Sequence, residues 1–252
     1  MRRALLLALC LLAPAARGET VVAGLSQDRV SITANFDGSD ILIYGAVKRE
    51  EPIPRDGPLN VIITVEGPSA PITVRRKSRV LGLWVNTANV QVDSAPSFYE
   101  AAATAPLADI LSSTEDLRHK ISIRRAIRSV GAPQDVTDSE AFTEALIRLR
   151  AASGAYKEDE GGVLLMQDTL FRANIDLPAN LTEGDYKARI FLVRQKKVVD
   201  ELTEVIRVRK VGLERALFTL SRDQPVIYGV VALVLAAVAG WAASALFRFI
   251  RA

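Results

Sequence analysis

Leu181-Thr-Glu-Gly184-Asp-Tyr186-Lys-Ala188-Arg-Ile190-Phe-Leu192 is the stretch that decides the fold class. Tyr186, Ala188, Ile190 and Leu192 recur every second residue, so they share one face of a strand whose other face carries Lys187 and Arg189. The entry Gly184-Asp-Tyr186 resembles a tyrosine corner, in which a Tyr at a strand start hydrogen-bonds back across the turn before it. Working outward, Phe171, Ala173 and Ile175 alternate in the same way upstream, and Leu202, Ile206 and Val208 do so downstream.

The N-terminal third repeats the pattern. Val30, Ile32, Ala34 and Phe36 alternate with polar residues, Asp37-Gly38 follows, and Ile41 to Tyr44 comes next, which predicts a hairpin. Further strands are predicted at 59–66, 72–76, 81–85, 90–92 and 97–102. The prolines and glycines of Pro52-Ile-Pro-Arg-Asp-Gly-Pro58 and Gly67-Pro-Ser-Ala-Pro71 should interrupt the ladders between them. Residues 107–155 differ in kind. Ser112-Ser-Thr-Glu115 and Thr137-Asp-Ser-Glu140 both match the capping box of a helix start. Phe142, Ala145, Leu146 and Leu149 then recur at helical spacing, with Gly154 as the stop. The expected architecture is mainly β with an α insertion: an immunoglobulin-like β-sandwich over 19–210 with a helical insertion at 107–155. Two smaller β domains are the alternative.

Both ends are apolar. Met1-Arg-Arg3, the run Leu5 to Leu12 and the small residues before Gly18 read as a signal peptide over 1–18, far short of the roughly 20 residues a span needs. Residues 225–247 carry no charge and are long enough to cross a bilayer. Residues 211–224 read as a juxtamembrane connector, with Leu213, Leu217 and Leu220 on one helical face. Arg248 and Arg251 in the tail 248–252 put that end in the cytoplasm by the positive-inside rule. The expected topology is a single-pass type I protein with its ectodomain outside.

Charge and cysteine count then narrow the function. The chain has 32 Lys and Arg against 29 Asp and Glu; Arg2, Arg3 and Arg17 would leave with the leader, and removing three leaves the two signs equal. A nucleic-acid footprint is thereby excluded. The single cysteine, Cys10, lies in the leader, so the mature ectodomain would have neither a disulfide nor a thiol nucleophile. A disulfide-free ectodomain fits a bacterial envelope better than a eukaryotic surface, which places the span in the inner membrane and the ectodomain in the periplasm.

Chemical motifs are sparse. The chain contains no S-x-x-K, G-x-S-x-G, H-E-x-x-H, Walker A or dinucleotide fingerprint. His119, its one histidine, stands between Arg118 and Lys120, where cations disfavour a metal or a protonated base. Glu158-Asp159-Glu160 and Asp37-Gly-Ser-Asp40 read as solvated turns without EF-hand spacing. No catalytic, cofactor-binding or metal residue is therefore assigned, and no cofactor is expected. Two binding surfaces are. Lys120, Arg124 and Arg128 align at i, i+4 and i+8 with Arg125 beside them, a cationic helical face for an anionic partner, and Arg75-Arg-Lys-Ser-Arg79 is a second basic run. In the span, Ala232, Ala236, Gly240 and Ser244 form a ridge of small residues along which another helix can approach closely.

Ser26-Gln-Asp-Arg-Val-Ser-Ile-Thr33, residues 36–45, Val80-Leu-Gly-Leu-Trp-Val-Asn86, Pro96-Ser-Phe-Tyr99 and Gly184-Asp-Tyr186, with the terminal span, together resemble an uncharacterised alphaproteobacterial family of single-pass transmembrane proteins. The similarity covers nearly the whole chain. It implies the topology and a gene neighbourhood shared with sulfite-exporter-type permeases, and no catalytic residue. The functional expectation is a non-enzymatic, membrane-anchored accessory protein that contacts the bilayer and an inner-membrane transporter or a second copy of itself. The alternative is a periplasmic enzyme or binding protein that uses Arg and carboxylates on an anionic small molecule.

Overall fold

The structure is a computed structural model that describes residues 18–33, 35–50, 52–53, 57–129, 139–212, 218 and 220–251, with side chains of the last helix through Ser244. The leader up to residue 17, Ala34, residues 54–56 of the Pro52–Pro58 turn, Val130, Thr137 and Asp138 of the second capping box, and Leu213 and Leu217 of the connector lie outside the described residues. So do the side chains of the tail. Two compact units emerge, Met1–Val30 with Asp37–Val208, and Ser31–Phe36 with Arg209–Ala252.

The first unit is mostly β. A four-stranded sheet has the order β1 (Thr20–Leu25), β3 (Gly38–Lys48), β10 (Leu170–Pro178), β9 (Val163–Met166). A six-stranded sheet runs β2 (Arg29–Ile32), β12 (Lys197–Lys210), β11 (Gly184–Arg194), β4 (Leu59–Glu66), β7 (Tyr99–Ala103), β8 (Tyr156–Glu160). β5 (Ser69–Val80) and β6 (Leu83–Pro96) form a separate two-stranded ribbon. β4, β7 and β11 touch β1, β9 and β10 across the space between the larger sheets. Ile41, Ile43 and Ile175 on one sheet and Val61, Ile63, Val65 and Ile190 on the other are fully buried.

The helices sit where topology requires them. β7 and β8 pair in parallel, and a parallel pair cannot be joined by a tight turn. The crossover is α1 (Leu107–Ile110), α2 (Ser113–His119), α3 (Ile123–Ala126) and α4 (Ser139–Ala152). Ile110, Leu111 and Ile121 cover Ile62, Ala103, Phe191 and Val193 of the six-stranded sheet. Ile123, Ile127 and Leu146 pack with Val92 of the ribbon and with Tyr99, Ala101 and Tyr156. The Tyr99 hydroxyl donates to the Ile121 carbonyl at 2.6 Å, fixing the crossover to the sheet. Ser112 caps α2 through the Glu115 amide at 3.3 Å. Glu115 does not return the bond as a capping box would; its carboxylate accepts from Arg118 at 2.6 Å and from the Val198 amide at 3.2 Å, tying the helix to β12.

Tyr186 is fully buried, and its hydroxyl donates to the Thr182 carbonyl at 2.9 Å, the backward bond of a tyrosine corner. The ring lies so close to Gly67 that a Cβ there would stand 2.9 Å from Tyr186 Cε1.

Several local expectations are corrected. The Asp37-Gly38 hairpin does not form: β2 joins β12 in one sheet, while β3 pairs with β1 and β10 in the other. Alternation reports which face a residue takes and is silent on which strand it pairs with. The predicted strands at 72–76, 81–85 and 90–92 are one continuous ribbon. Pro71 falls where the register shifts between Ala70 and Ile72, a bulge that tolerates a residue without an amide proton. Glu158-Asp159-Glu160 is the end of β8 and not a turn, so strands resume at Tyr156.

In the second unit, α5 (Pro225–Arg251) contains one apolar stretch, Pro225–Ser244, with mean hydropathy 2.3 and length enough to cross a bilayer.

Candidate functional site

The most distinctive surface is the face of the four-stranded sheet that points away from the core. Register places Val22, Ala46, Leu170 and Met166 side by side across all four strands. The next row is Gly24, Tyr44, Arg172 and Leu164, and Leu42 stands beyond Tyr44. On this face Val22, Leu42, Tyr44, Leu164, Met166 and Leu170 are all exposed, while their neighbours Ile41, Ile43, Phe171 and Ala173 are buried on the other side. A half-buried antiparallel sheet normally turns polar residues outward. Six large apolar side chains in adjoining rows form a contiguous exposed patch, the kind of feature that marks an interaction surface. Single-sequence reading missed it because both faces of β9 and β3 carry apolar residues, and only the pairing shows that they line up.

A second feature is an open groove of about 440 Å³ between β5 and α4. Arg75, Arg76, Lys77 and Arg148 line it together with Val74, Phe142, Ala145 and Leu149, and among the described residues no carboxylate does. The Arg76 guanidinium lies 5.1 Å from the centroid of the Phe142 ring. Another cleft of about 320 Å³ is lined by Asp116, Glu158, Glu160 and three serines. Asp116 is already engaged there, accepting from the Ser122 amide and hydroxyl at 2.8 Å each.

The cationic helical face predicted from Lys120, Arg124, Arg125 and Arg128 does not exist as one face. Lys120 adopts φ +53° and ends α2, and Ser122 turns back to Asp116, so the helical spacing is broken twice. Arg124 pairs with Glu140 and Glu144 of α4, and Arg125 lies 3.9 Å from Asp116. Arg128 forms a backbone bridge with Ser94. His119 is only partly exposed and faces two carboxylates. Its Nδ1 is 3.1 Å from Glu201 Oε2, its Nε2 is 3.6 Å from Glu115 Oε2, and the ring meets Phe191 edge-on at 5.7 Å. Ala232, Ala236, Gly240 and Ser244 all lie on α5, exposed, and a Cβ on Gly240 would meet nothing within 4 Å.

Two charge clusters tie strands of the β unit together, one buried and one with only its central carboxylate buried. Glu19, just before β1, is bound by Arg49 Nε at 2.5 Å and by Arg194 at 2.9 and 3.1 Å, all three side chains being at most 10% exposed. Burial alone would raise the Glu19 pKa, but hydrogen bonds from Arg194 and Arg49 outweigh it and hold the carboxyl below its ordinary range. Glu100 is fully buried on β7, and Lys157 beside it on β8 reaches its Oε1 at 3.1 Å. The same ammonium lies 3.3 Å from Asp176 and 3.5 Å from Asp159. Burial pushes the Glu100 carboxyl up, with Lys157 opposing; burial works against the Lys157 charge, yet the carboxylates around it keep the ammonium above its usual range. Glu100 lines neither of these two clefts. Among the described residues no group of three or more His, Cys, Asp and Glu is placed to hold a metal ion.

No curated protein matches the sequence. A family model described as "putative transmembrane protein" (Alph_Pro_TM) matches residues 20–249, which takes in both units of the fold and all but the end of α5. With its β-rich body and one C-terminal helix fit to cross a bilayer, this chain belongs to that transmembrane family.

Proposed function

We propose that this is a non-enzymatic, membrane-anchored accessory subunit of an inner-membrane assembly, such as a transporter, with an immunoglobulin-like β-sandwich in the periplasm as its recognition module. The observation that carries this reading is the apolar outer face of the four-stranded sheet, which has the contiguity of a partner surface and none of the convergent polar groups of a catalytic pocket. The tyrosine-corner bond of Tyr186 and the two large sheets in contact support the sandwich. The expected leader and the basic tail support the outward orientation of the β unit. The Ala232 to Ser244 ridge gives α5 a side on which a transporter helix, or α5 of a second copy, can pack.

The test is co-purification from membranes solubilised in mild detergent, comparing the wild type with Leu164→Ser and Leu170→Ser. Both side chains are more than half exposed, so the fold should be nearly unaffected. The reading predicts a stoichiometric integral-membrane partner, or a second copy, that the wild type retains and the double variant loses. Retention of the same partner by the double variant would remove the sheet face from the account.

A further inference from the structure

The tip of the β5–β6 ribbon breaks two local rules at once. Residues 80–85 read Val-Leu-Gly-Leu-Trp-Val, and Leu81, Leu83 and Trp84 are 100%, 71% and 68% exposed. The loop is the two residues Leu81 and Gly82, with φ +50° and +86°, so both are left-handed. Such a turn favours Asn-Gly or Asp-Gly, because a bulky side chain disfavours positive φ. Leucine here is worse for the turn and worse for solubility than the ordinary choice. Where a sequence accepts both costs, a use for the apolar side chain outside the fold is the physical explanation.

The chemistry behind the tip names the occupant. Arg75, Arg76, Lys77 and Arg79 follow the apolar residues down β5, and no Asp or Glu occurs from Gly67 to Val92. Among the described residues Arg75, Lys77 and Arg79 have no carboxylate partner. At about 3.3 Å per residue, Lys77 lies roughly 13 Å behind Leu81, and Arg79 about half that. Each interface is about 5–8 Å deep, so with the tip at its inner edge Arg79 stands at the phosphate level, and Lys77 reaches back toward it along its flexible side chain. The base of the ribbon is held by Ile72, Val74 and Val92 packing against the α3–α4 cluster, so the tip is presented on an anchored arm.

We propose that Val80 to Val85 insert into the interfacial region of an anionic bilayer, with Lys77 and Arg79 binding lipid phosphates. The insertion is a second membrane attachment, separate from α5 and independent of the sheet face proposed above. A chain already tied to a bilayer by its span meets such a surface at high local concentration. Interfacial leucine and tryptophan supply the apolar part of the attachment, and the cations make it sensitive to lipid charge and to salt.

Trp84 reports on this directly, because the only other tryptophan is Trp241 in α5. The full chain carrying Trp241→Phe is placed in nanodiscs of phosphatidylcholine alone, or of phosphatidylcholine with phosphatidylglycerol. Vesicles containing phosphatidylglycerol are also added to the phosphatidylcholine discs. The expected result is a blue shift of Trp84 emission and reduced acrylamide quenching wherever phosphatidylglycerol is present, reversed by salt. Leu81→Asn should weaken the attachment about tenfold while suiting the turn better, so a folding defect cannot explain its effect. Lys77→Glu with Arg79→Glu should abolish the lipid-charge dependence. Trp84 emission and quenching that stay those of a water-exposed indole in every lipid arm would overturn the proposal. Protection of Trp84 in native membranes alone would overturn it too, since it would assign the tip to a protein.

Discussion

Glu19→Gln should be among the most damaging single substitutions in the β unit, although it changes one atom type at the edge of a strand. The carboxylate lies between Arg49, which directly follows β3 of one large sheet, and Arg194, the last residue of β11 in the other. Side-chain exposures of 8%, 10% and 6% mean that water cannot replace the lost charge. Breaking a buried ion pair from one side costs about 3–5 kcal/mol, because the remaining charges stay buried without compensation. The lower end is expected: Arg194 still donates to the Gly57 carbonyl, and Arg49 to Asp168 and Thr169. At about 2–4 °C per kcal/mol for a unit of this size, the melting temperature should fall by roughly 6–12 °C. Far-UV circular dichroism at the strand band in detergent micelles reads this. The control is Glu144→Gln, which removes an exposed partner of Arg124 and should cost under about 1 kcal/mol. The pH dependence has a defined sign. The Glu19 pKa is lowered on folding, so its stabilisation is present above the ordinary 4.5 and is lost as pH falls through the lowered folded value. The gap between wild type and Glu19→Gln should therefore narrow in acid. A loss below about 1 kcal/mol at neutral pH, or a gap that stays constant into acid, would refute the reasoning.

Glu100 should behave oppositely. Its pKa is raised on folding, so the protonated form is favoured in the fold, and its contribution improves as pH drops from the raised value toward 4.5. Glu100→Gln should flatten that part of the stability profile, which denaturant titrations across the range measure. Tyr186→Phe removes only the hydroxyl that reaches Thr182 and should cost about 0.5–1.5 kcal/mol by thermal unfolding, with the sheets otherwise unchanged. Ser112→Ala removes the cap of α2 and should cost about 0.5–2 kcal/mol in the same assay.

What the sequence carried, and what it did not, follows from the range of each interaction. Tyr186 and its turn, the Ser112 cap and the apolar span are written within a few consecutive residues, so spacing alone exposes them. Strand partners are not: Val30 and Ile32 announce a buried face, but nothing near them says that β12 lies alongside rather than β3. The ribbon looks like separate strands in the sequence because Leu81-Gly82 lacks the Asn or Asp that signals its turn. That departure from the turn rule is also what makes the tip a candidate surface. The cationic helix failed at Lys120, whose left-handed backbone has no sequence signature beyond a preference. Glu19 and Arg194 are 175 residues apart, and only the folded sheets bring them together.

The apolar rows of the four-stranded sheet are the centre of the functional account, and site-specific photo-crosslinking in intact membranes tests them most directly. A photoreactive residue is placed at Tyr44, at Leu164 or at Leu170, with Val199 on β12, also exposed, as the control. The account predicts that the three sheet positions give one common adduct, with an integral-membrane protein or a second copy of the chain, and that Val199 gives none. Adducts no stronger from Tyr44, Leu164 and Leu170 than from Val199 would contradict it.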